Sequence, residues 1–228
     1  MSEAVVLLSG GLDSSTVLAL AKERGFEVAA LTFDYGQRHR RELESAKEVA
    51  ASLKVREHIV LHLDVGKHLR SSLTNKSMSV PVGRSRAQIA SGVPDTYVPS
   101  RNIIFLSVAS SIAESRGASS VFIAANAVDF SGYPDCTPEF ISAFQRTIDV
   151  GTKTGKEGQG IRIEAPLLRM SKRDIVREAL RLKVPLELTW SCYKGGRKAC
   201  GRCDSCQLRL QAFAEAGAKD PLEYEVRG

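Results

Sequence analysis

The sequence predicts an α/β protein: a parallel twisted sheet flanked by helices, with a small C-terminal segment organised by cysteines. Three observations carry that expectation. Short apolar runs alternate with helix-patterned segments, as in strands joined by crossover helices. The first run ends in Ser9-Gly10-Gly11-Leu12-Asp13-Ser14-Ser15, a strand-to-helix turn without bulk. Four of the five cysteines fall within positions 192–206.

In chain order, strands are expected over residues 4–9, 27–34, 57–62, 120–125 and 162–164. Helices are expected over 14–24, 41–53, 102–116, 138–150, 172–182 and 203–216. Ser171 with Asp174 three residues on forms a capping-box-like start for the helix at 172. Pro138 after Thr137 occupies the favoured proline position just inside a helix. Alternating strands and helices imply right-handed crossovers and a ligand site at the carboxyl ends of the strands. That geometry gathers residues 9–15, 34–37 and 126–135 along one edge, and all three segments are rich in polar and glycine residues.

The first of these segments favours phosphate. Gly10 and Gly11 allow positive φ and close approach to the main chain, and a helix N-terminus presents N–H groups and a positive dipole end. Ser9, Ser14 and Ser15 add hydroxyl donors. Neither G-x-x-x-x-G-K-[ST] nor G-x-G-x-x-G is present, so the two most familiar phosphate loops are excluded. Asp13 has two readings: a first-turn acid complementing the helix dipole, or a carboxylate that meets phosphates across Mg²⁺.

Composition narrows the function classes. At 228 residues, 43% hydrophobic and 25% charged, the chain can bury a proper core and wholesale disorder is excluded. No apolar run approaches the ~20 residues that span a bilayer, and no basic-then-apolar leader precedes the first strand. A cytoplasmic protein without a membrane partner is expected. The net charge of +6 sits in two short clusters, 38–41 and 194–202. It reads as a mildly basic enzyme surface that suits nucleotides, and no stable nucleic-acid partner is expected.

Cys192, Cys200, Cys203 and Cys206 have the spacing C-x7-C-x2-C-x2-C. In a reducing compartment such density argues for metal over disulfides. Four thiolates fill a tetrahedral Zn²⁺ shell with no open position, so one structural zinc per chain is expected; an iron–sulfur cluster is the alternative. The fifth thiol, Cys136, lies at the expected active edge beside Asp135, which opposes the lowered pKa that a nucleophile needs. Two stretches lack pattern. Residues 63–98 form a long irregular segment, and the glycine-rich 151–160 reads as a solvated connector or a lid carrying Lys153.

Ser9-Gly10-Gly11-Leu12-Asp13-Ser14 resembles the SGGxDS signature of the PP-loop ATP pyrophosphatase family, whose fold is adenine nucleotide alpha hydrolase-like. Four further stretches narrow the resemblance: Phe33-Asp34-Tyr35-Gly36-Gln37-Arg38-His39, Val98-Pro99-Ser100-Arg101-Asn102, Ser131-Gly132-Tyr133-Pro134-Asp135-Cys136, and Thr189-Trp190-Ser191-Cys192-Tyr193 leading to the last three cysteines. Together they cover nearly the whole chain and resemble the 7-cyano-7-deazaguanine synthase branch. Leu12 stands where a polar residue is frequent in the group.

The resemblance implies an ATP-dependent ligase acting with Mg²⁺ on 7-carboxy-7-deazaguanine and ammonia. A catalytic domain over 1–188, a zinc-binding segment over 189–228 and a homodimer are expected, with the 63–98 segment and the cysteine-rich tail as the candidate subunit contact. ATP binding falls to Leu8, Ser9, Gly10, Gly11, Leu12, Asp13, Ser14, Ser15, Thr16, Val17 and Leu18, with Asp34 and Tyr35 near the adenosine. Asp13, Lys172, Arg101 and Asp129 are the implied catalytic residues. Tyr133 and Asp135 are the implied contacts to the purine.

Overall fold

Five strands, β1 (Glu3–Leu7), β2 (Glu27–Asp34), β3 (Glu57–His62), β4 (Ser120–Phe122) and β5 (Arg162–Glu164), form one parallel sheet in the order β3-β2-β1-β4-β5. The computed structural model describes residues 2–89, 92–126 and 132–226. β1 is central: Val5 pairs with Ala29 of β2 on one side and Val121 of β4 on the other. The chain steps outward from β1 to β3, then restarts at β4 beside β1. That reversal makes the β1/β4 junction the switch point where such sheets leave a crevice.

The helices are α1 (Leu12–Glu23), α2 (Arg41–Ser52), α3 (Arg86–Ile89), α4 (Arg101–Arg116), α5 (Pro138–Gly151), α6 (Lys153–Lys156), α7 (Lys172–Arg181) and α8 (Asp204–Glu215). The two-residue period of β1 divides the core between the faces of the sheet. Ala4, Val6 and Leu8 pack under α1, α2, α7 and α8, whereas Val5 and Leu7 pack under α4 and α5. Each face buries its own cluster, so β1 and β2 read as near-continuous apolar runs.

Differences from the sequence expectation fall at element ends and in two short helices, α3 and α6, inside the stretches without pattern. α1 starts at Leu12, because Gly11 is extended (φ −80°, ψ 167°) and takes the N-cap position. β4 ends at Phe122: Ile123 N still donates to Glu164 O at 2.9 Å, and the following residues turn out to wall a cavity. Segment 63–98 is stitched down by polar contacts that hydrophobic periodicity does not reveal. Ser71 and Ser72 are fully buried, Ser72 N donates to Asp95 O at 2.9 Å, and Arg38 reaches Met78 O at 2.7 Å.

Residues 151–160 contain the single turn of α6, capped by Thr152 and tied to Glu114 near the far end of α4. Lys153 there is exposed and pairs with Glu157. α8 places Ala212 and Phe213 in the same core as α1 and α7, while Trp190, Leu222 and the four cysteines form a separate small cluster. No helix among the described residues is long and apolar enough to cross a membrane.

Candidate active site

The strand-to-helix turn after β1 opens onto a cavity of about 290 Å³, near the ~300 Å³ lower end of small-molecule sites. Gly10 has φ +79° and its carbonyl accepts from Trp190 N at 2.8 Å, which turns the peptide away from the cavity. No side chain could replace its hydrogen: a Cβ there would stand 2.5 Å from Ala46 N and 2.6 Å from Glu42 O. Gly11 supplies no side-chain cap to α1. The N–H groups of Leu12, Asp13 and Ser14 therefore lack intrahelical acceptors at the cavity wall, an arrangement suited to an anion. Ser9 and Ser14 join their hydroxyls at 2.9 Å and brace the loop from inside.

Of the residues expected to hold ATP, Leu8, Ser9, Gly11, Leu12, Asp13, Ser14 and Tyr35 line the cavity. Ser15 and Thr16 instead bond back to the carbonyls of Gly11 and Leu12, and Val17 and Leu18 are core. Leu12 is 4% exposed and packs in the core while its edge borders the cavity, so an apolar residue is tolerated there.

Asp13 and Lys172 meet across the switch point. Lys172 opens α7, which Ser171 caps by accepting from Asp174 N. Its ammonium reaches the Asp13 carboxylate at 2.5 Å, and Asn126, just past β4, donates to the same carboxylate oxygen at 2.9 Å. A carboxylate inside an anion site is thus balanced by one cation and one amide.

The opposite wall is built by α4. Ser100 takes a left-handed conformation (φ 55°) immediately before Arg101, the kind of uncommon backbone that gathers at functional sites. Arg101 lines the cavity and bonds to the phenol of Tyr35. Burial works against the guanidinium charge, but Tyr35, Tyr133 and Cys136 outweigh it and raise its pKa. Burial likewise raises the Tyr35 phenol. Tyr133 borders the same space with its hydroxyl 2.8 Å from Thr96.

Sequence reasoning did not select Glu42, which lines the cavity from the first turn of α2. Burial pushes its carboxyl up to about 7, with Arg101 opposing and Cys192 adding to the rise. Nothing in the local pattern distinguishes it from an ordinary first-turn acid. Its neighbour Arg41 lies over the Trp190 ring at 5.4 Å.

Two further expected residues, Asp34 and Asp135, do not line the cavity. The Asp34 carboxylate turns sideways along the sheet to His62 on β3, at 3.1 Å, and to Arg40. Asp135 is buried and accepts from Asn102 N at 2.9 Å, which fixes the start of α4. Asp129 lies outside the described residues. Cys136 borders the cavity, with its sulfur accepting from the Asn102 amide at 3.1 Å.

The four clustered cysteines converge: their sulfurs lie within 4.8 Å of one another and all are buried. A tetrahedral site with Zn–S bonds of ~2.3 Å needs sulfurs about 3.8 Å apart, so this donor set fits a metal ion. Backbone N–H groups of Lys194 and Cys200 point at the sulfur of Cys192, and those of Arg202 and Cys203 at that of Cys200, as thiolate ligands require.

This unit is tied to the phosphate loop. Arg209 of α8 is buried against Asp220, with Nε–Oδ2 at 2.8 Å, and donates to Thr189 and Ser191 on either side of Trp190. Trp190 N in turn holds Gly10.

Parallel strands, a glycine turn feeding an uncapped helix N-terminus, and cations converging from α4 and α7 define a nucleotide-binding α/β protein of the PP-loop class. Two solved structures share the fold: NMN synthetase from Francisella tularensis (TM-score 0.51, 15% identity, 96% of this chain and 78% of that one) and a predicted tRNA methyltransferase subunit from Methanocaldococcus jannaschii (TM-score 0.50, 17% identity, 79% and 75%).

The model of the queuosine biosynthesis protein QueC family matches residues 3–217, and this chain belongs to that family. It is 54% identical over 229 residues to 7-cyano-7-deazaguanine synthase 2 of Desulfitobacterium hafniense (strain Y51), covering 100% of this chain and 95% of that protein. It is 55% identical over 224 residues to the 7-cyano-7-deazaguanine synthase of Thermosynechococcus vestitus, covering 98% and 96%.

Proposed function

We propose that this chain converts 7-carboxy-7-deazaguanine and ammonia to 7-cyano-7-deazaguanine in two ATP-dependent rounds, each releasing AMP and pyrophosphate. One observation carries the reading: the uncapped first turn of α1, the Asp13–Lys172 pair and the Arg101 guanidinium surround a single cavity. In the first round a substrate carboxylate oxygen attacks the α-phosphorus, and the bond to pyrophosphate breaks. Ammonia then forms the C–N bond as AMP departs, giving an amide. In the second round the amide oxygen attacks the same atom of a second ATP. Loss of AMP and both amide protons leaves the nitrile. Each round brings an oxygen on a planar carbon to one phosphorus, so one pose serves both.

The N–H groups of Leu12, Asp13 and Ser14 hold the pyrophosphate end, and Lys172 neutralises its growing charge. Asp13 is the carboxylate placed to hold Mg²⁺, which shields the phosphates when bound. Arg101 faces the α-phosphate or the substrate carboxylate. Tyr35 borders the adenosine, and Tyr133 offers a flat face to the purine. The four cysteines hold one structural Zn²⁺, which contributes on the order of 10 kcal/mol to ordering a segment with little core of its own.

The test is product analysis with ATP, Mg²⁺, ammonium and the deazapurine acid. AMP, pyrophosphate and a nitrile of the expected mass support the proposal. ADP with orthophosphate refutes it, and AMP released only when tRNA is present reassigns the acceptor.

A further inference from the structure

Two acids line the cavity, and they differ in what engages them. Asp13 accepts from Lys172 and Asn126 and is the carboxylate assigned above to Mg²⁺. The Glu42 side chain makes no hydrogen bond or salt bridge among the described residues, although Glu42 lines the cavity and the Arg101 charge acts on it. Its position is set by the phosphate loop: the Glu42 carbonyl packs where a Cβ on Gly10 would stand, 2.6 Å away. Glu42 therefore lines the same cavity as Leu12, Asp13 and Ser14, whose N–H groups the reading above assigns to pyrophosphate. The other charged groups around that space, Lys172, Arg101 and the buried Arg209, are cations and repel a positive ligand.

The reaction consumes a nitrogen that arrives at neutral pH as a cation. The geometry points to Glu42 as the carboxylate that docks ammonium beside the activated carbon of the substrate, an inference that rests on the ammonia-consuming reading above. A carboxylate supplies both the opposite charge and the acceptors that four N–H donors need. In the step that follows, one proton passes from ammonium to Glu42 and frees the nitrogen lone pair. The C–N bond forms, the C–O bond to AMP breaks, and AMP leaves with the bonding pair. The surplus proton on nitrogen goes to a phosphate oxygen of AMP, and Glu42 returns its own proton to water.

Glu42→Gln keeps the shape and removes the charge. With ATP, Mg²⁺ and the deazapurine acid but no ammonium, the variant is expected to exchange labelled pyrophosphate into ATP within about threefold of the wild type. With ammonium chloride, its KM for ammonium is expected to rise about tenfold or more while the KM for ATP holds. Hydroxylamine is uncharged near neutrality and bypasses the docking site, so hydroxamate forms at the wild-type rate. Glu42→Asp retains the charge and keeps the KM for ammonium within about threefold.

An unchanged KM for ammonium in Glu42→Gln overturns the assignment. So does a loss of pyrophosphate exchange in step with amide formation, because Glu42 then serves ATP or the purine. A wild-type protein that exchanges pyrophosphate yet makes no amide from ammonium overturns the ammonia reading itself, and the intact exchange tells the two failures apart.

Discussion

The Lys172 ammonium reaches the Asp13 carboxylate at 2.5 Å, joining the first turns of α1 and α7 across 159 positions of sequence. The pair is just over four-fifths buried on both sides, and a second donor, Asn126, fixes the carboxylate. Asp13→Asn and Lys172→Ala are each expected to lower kcat/KM for the acid about 100-fold or more, the usual scale for removing a preorganised charge at a developing anion. Lys172→Ala is the worse of the two for ATP affinity, because it leaves the Asp13 carboxylate facing phosphates alone. Circular dichroism should show both variants folded, since neither side chain belongs to the core.

Gly10 should tolerate no other residue. Its φ of +79° and the approach of Ala46 N make Gly10→Ala strained in its backbone and clashing in its side chain. Relief requires α2 to move off the loop, which shifts Glu42 and breaks the bond from Trp190 N. We expect a stability loss of about 1–3 kcal/mol by urea unfolding, with ATP binding lost more completely than stability. Gly25 is the control: it also has positive φ, but a Cβ there meets nothing within 4 Å, so Gly25→Ala should leave ATP binding intact.

The contrast between those glycines marks what the sequence reveals. Gly10 sits in a motif whose chemistry is local, so its role is legible from six adjacent residues. The strands are legible too, because burial on both faces leaves apolar runs such as 27–34. Glu42, Asn126 and Arg209 are not legible. Each owes its place to a contact with a residue far along the chain, and periodicity carries no information about such contacts. The partner of Asp135 is hidden for the same reason: the Asn102 N–H that it accepts from comes from another element. Asp34 ends the right strand, and its carboxylate is drawn sideways by His62 of β3.

The Arg209–Asp220 pair gives the fold an acid limit. Burial by itself would raise the Asp220 carboxyl, but the Arg209 guanidinium, the Tyr224 hydroxyl and the Leu222 N–H prevail and hold it below its usual 3.8. A carboxylate whose folded-state pKa is depressed contributes stability that is fully present above the unfolded value and lost as pH falls through the folded one. Asp220→Asn leaves a buried guanidinium without its counter-charge and should cost about 3–5 kcal/mol at neutral pH. The gap in Tm between wild type and variant should close progressively as pH drops below 3.8. A gap that stays constant down to the acid transition would show that the pair contributes through packing alone.

Metal removal should be felt at the nucleotide. The cysteine cluster has little apolar surface beyond Trp190 and Leu222, so without a cation its four buried sulfurs repel or trap protons and the segment loosens. Cys203 also bridges to Val82, and Gly83 N donates to Arg202 O at 3.0 Å, so the 63–98 segment should loosen with it. The Trp190–Gly10 bond is the route to the phosphate loop. Chelation, or Cys203→Ser, is therefore expected to release about one zinc per chain, raise amide exchange at Gly83 and weaken ATP binding about tenfold before global unfolding. Metal analysis, hydrogen exchange and nucleotide titration on one sample check the three effects together. A Cys203→Ser protein that is soluble, free of metal and fully active would remove the metal from any structural role. Loss of zinc with ATP affinity unchanged would instead leave that role in place and sever its link to the nucleotide.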